Sequence, residues 1–153
     1  MSDTRQFATF HLDALYFGVD VLKVQEVIRY QEMTRVPLAP GMVRGLINLR
    51  GQIVTAIDLR QRLELPPLTG DRRPTNVVIR SEDGAISLLV DEIGDVLEVA
   101  ADSFERPPET LRSTARDLVT GIYKLKDRLL LVLDTDRATQ SPGLLNRVNA
   151  SLA

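Results

Sequence analysis

The sequence repeats one of its own segments, and this repeat constrains the fold more than any other feature. Residues 45–58, GLINLRGQIVTAID, align without a gap on residues 121–134, GIYKLKDRLLLVLD, 76 positions later. The matched positions include a leading glycine, a basic turn residue and a final aspartate. Each segment carries apolar residues on both sides of a tight turn, the pattern of a β-hairpin. The repeat therefore predicts two similar small β units, each too small to bury a sufficient core alone.

A looser correspondence lies upstream of each hairpin. Residues 17–27, FGVDVLKVQEV, can be laid on residues 88–99, LLVDEIGDVLEV, so that Asp20 meets Asp91 at a separation of 71 positions. Glu26 and Glu98 correspond at a separation of 72 positions, and a β-bulge between the two pairs would account for the difference of one residue. Arg35 and Arg106 again correspond at a separation of 71. This second match extends the predicted duplication over most of the chain.

The domain organisation follows from the repeat. Residues 5–140 are predicted to form one domain built from two similar halves, with their boundary near the proline- and charge-rich connector at 64–75. The pattern also allows strands to be exchanged between the halves. Residues 141–153 are predicted to be a tail or a short amphipathic helix.

Local patterns place further elements. Residues 7–12 alternate as a strand, and residues 21–30 are predicted to be a strand because β-branched residues are frequent there. Residues 42–46 are predicted to form one helical turn. Asp58 has Gln61 three positions later, the pattern of a capping box at the start of a short helix.

Composition excludes several functions. The net charge of -2 and the aromatic content of 5% provide neither the basic stripe nor the stacking platform of a nucleic-acid-binding protein. The absence of cysteine excludes disulfides and thiolate metal sites. The first residues lack the apolar core of a signal peptide, and no apolar run approaches the ~20 residues of a membrane helix. We therefore expect a cytoplasmic protein without direct membrane insertion.

Few residues suggest a reaction centre. The single histidine, His11, lies within a predicted strand, and the nucleophile-elbow and phosphate-loop motifs are absent. A small metal-dependent enzyme using Asp91, Asp95 and Asp134 remains an alternative, although these residues lack the spacing of a calcium loop. Capping of the following turn or helix is the better explanation for Asp134, as it is for Asp58. We expect no enzyme activity and no cofactor.

A family resemblance rests on three blocks in order. These are FGVDVLKVQEV at 17–27, TRVPLAPGMVRGLINLRGQIVTAIDLRQRL at 34–63, and LLVDEIGDVLEV at 88–99. Together they resemble the CheW family, the adaptor proteins of bacterial chemotaxis arrays. The resemblance implies a mainly β fold with short helices, in which two SH3-like five-stranded β-barrel subdomains pack together.

The resemblance also implies partners. The family couples the cytoplasmic tips of transmembrane chemoreceptors to a chemotaxis-type histidine kinase, whose regulatory domain is related to the adaptor. The implied protein is a non-catalytic adaptor that is recruited to membrane receptor arrays. A paralogue serving pilus motility or a second-messenger output is the alternative within the same class.

The resemblance assigns eight candidate site residues. The receptor-binding positions would be Val24, Gly45, Arg50, Val77 and Val96. The kinase-binding positions would be Val21, Glu26 and Val27. Arg50 has a second possible role, in which it pairs with Asp91 or Asp95 at the interface between the two barrels. The family's second kinase contact uses an aromatic residue where this chain has Thr110.

Overall fold

The computed structural model describes residues 3–81 and 84–139, so the predicted tail at 141–153 lies outside the described residues. The described residues form two five-stranded sheets. The strands are β1 (Thr4–Leu12), β2 (Leu15–Asp20), β3 (Val24–Ile28), β4 (Val43–Leu49), β5 (Gln52–Asp58), β6 (Thr75–Ser81), β7 (Gly84–Val90), β8 (Glu92–Ala100), β9 (Val119–Lys124) and β10 (Leu129–Leu133). The α-helices are α1 (Leu59–Arg62), α2 (Ser113–Arg116) and α3 (Thr135–Thr139). The predicted mainly β fold with short helices is confirmed.

The two sheets have the same internal plan. The first has the strand order β8-β1-β2-β10-β9, and the second has the order β3-β6-β7-β5-β4. In each, an antiparallel hairpin pairs in parallel with one strand of a second hairpin, β2 with β10 and β7 with β5. The remaining edge strand crosses over, because β3 follows β2 but joins the second sheet and β8 follows β7 but joins the first. Both halves of the chain therefore contribute strands to both sheets.

Each sheet curls back on itself without closing. Beyond β3 the chain makes one isolated bridge to β4, Thr34 to Leu46, and beyond β8 it makes one to β9, Glu105 to Ile122. The first residues of these bridges are 71 positions apart and the second residues are 76 apart, the separations found in the sequence repeat. The SH3-like barrels are therefore two curled, open sheets, each with a single bridge at the seam.

The main core lies between the two sheets. Phe10 and Phe17 from the first sheet pack in one apolar cluster with Ile57, Val77 and Leu88 from the second. This shared cluster holds the sheets together, because burial of apolar surface stabilises both at once. β1 is covered on both faces: Phe7, which points away from Phe10, is buried in a second cluster with Tyr123.

Two local predictions differ from the structure. Residues 42–46 do not form a helical turn, since Val43–Leu49 is β4 and pairs along its length with β5. The predicted strand at 21–30 is shorter, because Val21–Lys23 forms a 3-10 turn before β3.

Candidate functional site

The β4–β5 hairpin turn places an arginine in an unusual backbone conformation. Arg50 and Gly51 are the two turn residues, and both have positive φ, 52° and 88°. Hairpin turns of this kind favour Asn or Gly at the first position, since a left-handed backbone is costly for a residue with a long side chain. The Arg50 side chain is nevertheless 69% exposed. The turn backbone itself does not require arginine at this position, since Asn or Gly would fit it better.

Arg50 forms an ion pair with Glu26 on β3. β3 and β4 are the opposite edges of the second sheet, so this pair spans the seam where the sheet curls back on itself. The hydrogen bond from Arg50, with its charge, holds the pKa of Glu26 below its ordinary value. The alternative prediction, in which Arg50 pairs with Asp91 or Asp95, is wrong. The ion pair instead joins one candidate receptor-binding residue to one candidate kinase-binding residue.

An exposed apolar surface precedes and includes β3. Leu22, at the tip of the 3-10 turn, is 82% exposed, and Val27 is exposed on β3. The turn is held in place because the Asp20 carboxylate accepts a hydrogen bond from the Leu22 backbone N–H, and Arg80 donates to the carbonyl oxygens of Leu22 and Val24. The three candidate kinase-binding residues, Val21, Glu26 and Val27, therefore lie together on one short segment.

The candidate receptor-binding residues are more dispersed. Val24 and Arg50 are accessible on the second sheet, and Val96 is exposed on β8 of the first sheet. Val77 is only 1% exposed and belongs to the main core, where it pairs with Val27 across β6 and β3. Gly45 is buried as well. Val77 and Gly45 are therefore placed to support β6 and β4 and do not present a side chain at the surface.

Gly45 has a structural reason to be glycine. A β-carbon at this position would lie 2.7 Å from the carbonyl oxygen of Thr34 and 3.0 Å from Cβ of Met33. The segment that forms the single bridge to β4, around Met33 and Thr34, crosses directly over β4 there. Gly121, its repeat counterpart, lies under Phe104 in the same way, since a β-carbon would fall 2.1 Å from the ring.

A buried charge cluster links the two sheets, and sequence reasoning did not find it. Arg60 on α1 donates from Nε and Nη2 to the two carboxylate oxygens of Asp91, at 2.7 and 2.6 Å, and from Nη2 to Asp13 at 2.5 Å. The Asp91 carboxylate also accepts the backbone N–H of Asp13 at 2.8 Å. Asp91 lies where the chain crosses from β7 to β8, so the cluster fixes that crossing to α1 and to the β1–β2 turn.

The lowered pKa of Asp91 should make the free energy of unfolding depend on pH in the acid range. Burial opposes its ionisation, but the hydrogen bonds from Arg60 and Asp13 and the charge of Arg60 outweigh burial and lower the pKa. A carboxyl group with a lowered folded-state pKa contributes stability above its unfolded pKa of about 3.9 and loses it as pH falls through the folded value. We therefore expect the urea concentration at the unfolding midpoint to decrease when the pH is lowered below about 4. Asp91→Asn should remove part of that slope, and an unchanged slope would contradict this account.

Two of the three carboxylates in the metal-enzyme alternative, Asp91 and Asp134, have structural partners. Asp91 is occupied by Arg60, and Asp134 accepts a hydrogen bond from the backbone N–H of Arg137 at the start of α3. Asp58 likewise accepts from the backbone N–H of Gln61, as the capping box predicted. Within residues 3–81 and 84–139, no group of three or more His, Cys, Asp or Glu side chains is arranged to hold a metal ion.

One expected surface contact and the possibility of a membrane helix can be checked directly. Thr110 is exposed in the loop before α2, at the position where the family resemblance expects an aromatic residue. No helix within the described part of the chain is long and apolar enough to cross a membrane.

Comparisons of the sequence with known proteins agree with this architecture. Residues 6–142 match the family model described as a CheW-like domain. The chemotaxis protein CheW of Klebsiella aerogenes is 31% identical over 137 residues, covering 90% of this chain and 82% of that protein. The chemotaxis protein CheW of Bacillus subtilis is also 31% identical, over 83% of this chain and 81% of its own. Protein PilI of Pseudomonas aeruginosa is 26% identical over 90% of this chain and 76% of its own.

A solved structure matches the fold. The crystal structure of the scaffolding protein TtCheW from Thermoanaerobacter tengcongensis superposes with a TM-score of 0.81 at 26% identity, covering 94% of this chain and 92% of that one. The family match spans nearly all of the described residues, and both sheets are included in the structural match. The chain belongs to the CheW-like family.

Proposed function

We propose that this protein is a non-catalytic adaptor that couples transmembrane chemoreceptors to a chemotaxis-type histidine kinase. The observation that carries the proposal is the exposed surface formed by β3 and the Arg50 turn, where an apolar segment lies beside an arginine held in an unfavourable backbone conformation. Such a combination suits reversible protein recognition better than catalysis. Membership of a family that includes a scaffolding protein supports the same conclusion. The adaptor would work in the cytoplasm, recruited to membrane receptor arrays.

The kinase would bind to the β3 segment. Val21, Glu26 and Val27 lie together there, and Leu22 adds the largest exposed apolar side chain of the segment. β3 is also an edge strand, so its free backbone groups can pair with a strand of another domain. We expect an interface of about 1,000–1,600 Å², typical of reversible signalling contacts.

The receptor tip would bind to a second surface that includes Arg50. The arginine can donate hydrogen bonds to a carboxylate or to the carbonyl groups at a helical tip. Val24 and Val96 would supply apolar contacts, while Gly45 and Val77 would keep β4 and β6 of the second sheet in position.

The proposal is tested by binding the purified chain to two fragments, the regulatory domain of a chemotaxis kinase and the signalling tip of a chemoreceptor. Titration calorimetry should show saturable binding to each, and Val27→Glu should weaken kinase binding by about tenfold while leaving receptor binding intact. Failure to bind either fragment would contradict the adaptor function.

Arg50 provides the sharpest variant. Arg50→Asn removes the guanidinium but gives the turn a residue that it prefers, so the melting temperature should be maintained or raised. Receptor-tip binding should nevertheless weaken by about tenfold, because the charge-assisted hydrogen bonds are lost.

The double variant Glu26→Arg, Arg50→Glu serves as a control for the Arg50 result. It restores an ion pair across the seam with reversed charges, so it should fold normally and still fail to bind the receptor tip. If the double variant recovers receptor binding, Arg50 acts by holding β3 and not by contacting the receptor.

A second candidate function is the same adaptor role in another chemosensory pathway. The similarity to Protein PilI motivates this alternative. Calorimetry with regulatory domains from a flagellar-type and a pilus-type chemosensory kinase, measured side by side, should show a clear preference for one of the two.

A further inference from the structure

A groove lies beside the proline loop, residues 34–41, and is separate from the surfaces described above. Its volume is about 780 Å³, within the range of pockets that hold a small ligand. Arg35, Leu38 and Arg44 line it together with Tyr30 and Val43. None of the eight candidate receptor- and kinase-binding residues lines the groove, and neither does any described Asp or Glu.

The proline loop presents a leucine to solvent. Leu38 is 95% exposed, and its φ of 63° is in the left-handed region that residues with a β-carbon rarely adopt. Pro37 and Pro40 on either side restrict the backbone of the loop. A leucine held outward on a stiff loop loses little conformational entropy on contact with a partner, so the loop is preorganised for binding.

The charged side chains that line the groove, Arg35 and Arg44, are both positive. Arg35 has no hydrogen-bond or ion-pair partner among the described residues. Arg44 has only a long contact to Asp58, 3.4 Å between Nη1 and Oδ2, at a solvent-exposed position where such pairs exchange easily. Arg73 lies over the Tyr30 ring at 4.8 Å and adds a third guanidinium near the groove.

The second half of the chain serves as an internal comparison. Arg106 corresponds to Arg35, but at the same separation of 71 positions Leu38 becomes Glu109. At the separation of 76 positions that relates β4 to β9, Arg44 becomes Thr120. The exposed leucine and the second arginine are therefore not demanded by the sheet plan that the two halves share.

We propose that this groove is a third docking surface, which binds an acidic segment of a partner protein that carries an apolar anchor. The guanidinium groups of Arg35 and Arg44 would pair with its carboxylates, and Leu38 would pack against its apolar side chain. The chain's own last residues, 140–153, contain one arginine and no acidic residue, so they do not complement the groove. This surface goes beyond the coupling of a receptor to a kinase and does not depend on it.

The test is selection from a peptide display library on the full chain, followed by fluorescence anisotropy with the selected peptides made synthetically. The enriched peptides should combine several Glu or Asp residues with an apolar residue. Their affinity should fall by at least about tenfold for the double variant Arg35→Glu, Arg44→Glu and for Leu38→Ser. Amide shifts in NMR spectra of the wild-type chain should map the bound peptide to residues 35–44.

The single variant Arg35→Glu should also lower the affinity. Arg106→Glu is its matched control, since it makes the same charge change at the equivalent position of the other half and should leave the affinity unchanged. An equal loss with Arg106→Glu would overturn the proposal, as would a failure to enrich acidic peptides. Sedimentation that shows self-association abolished by Arg35→Glu would assign the groove to a second copy of the chain and would also overturn it. Circular dichroism of each variant checks that the exposed substitutions leave the fold intact.

Discussion

Replacing Arg60 by methionine should lower the free energy of unfolding by about 3–5 kcal/mol, because one partner of a buried ion pair is removed. Arg60 is the main cation opposite Asp91, whose side chain is only 4% exposed. Methionine keeps much of the side-chain volume, so the loss reports mainly on the carboxylate left without its partner. Urea denaturation followed by circular dichroism measures the change.

The double variant Arg60→Met, Asp91→Leu is the control for this prediction. It removes both charges, and a buried ion pair replaced by apolar groups is often nearly neutral, so much of the lost stability should return. Asp13→Ala should cost less than Arg60→Met because Asp13 is half exposed. A urea midpoint that is unchanged in the single Arg60 variant would show that the cluster contributes nothing.

Gly45→Ala should destabilise the fold by about 1–3 kcal/mol through overpacking. The new methyl group would press against the carbonyl oxygen of Thr34, which accepts a hydrogen bond from the Leu46 backbone N–H at 2.8 Å. Backbone cannot rotate away as a side chain can, so the bridge at the seam of the second sheet must move. Thermal and urea unfolding measure the cost.

Gly121→Ala is the comparison for this result. Its methyl group would meet the ring of Phe104, a side chain on the surface that can be truncated. The double variant Gly121→Ala, Phe104→Ala should therefore lose no more stability than Phe104→Ala alone. If Gly45→Ala is as stable as the wild type but fails to bind the receptor tip, Gly45 contacts the receptor directly and its structural assignment is wrong.

The structural features that depend only on neighbouring residues could be predicted from the sequence. The hairpin turn at Arg50 and the cap at Asp58 follow from local preferences, and both are present. The mainly β class followed from the repeat and the family resemblance together. The helical turn expected at 42–46 failed because pairing with β5 outweighs the weak local preference of a short segment.

The remaining features depend on distant parts of the chain. Arg60 and Asp91 are far apart in sequence and meet only because the chain crosses between sheets beside α1. The burial of Val77 and Gly45 likewise depends on what covers them, the opposite sheet in one case and the returning segment in the other. A motif carried over from relatives identifies a position as important, but it does not show whether that residue faces a partner or supports one that does.

The crossing of β3 and β8 makes the two halves of this chain interlocked. A cut in the connector between α1 and β6 would yield one piece with two strands of the first sheet and three of the second, and another piece with the reverse. Neither piece could complete a sheet without the other. Pulling the two halves apart would break strand pairs in both sheets at once, β1–β8 and β2–β10 in the first and β3–β6 and β5–β7 in the second.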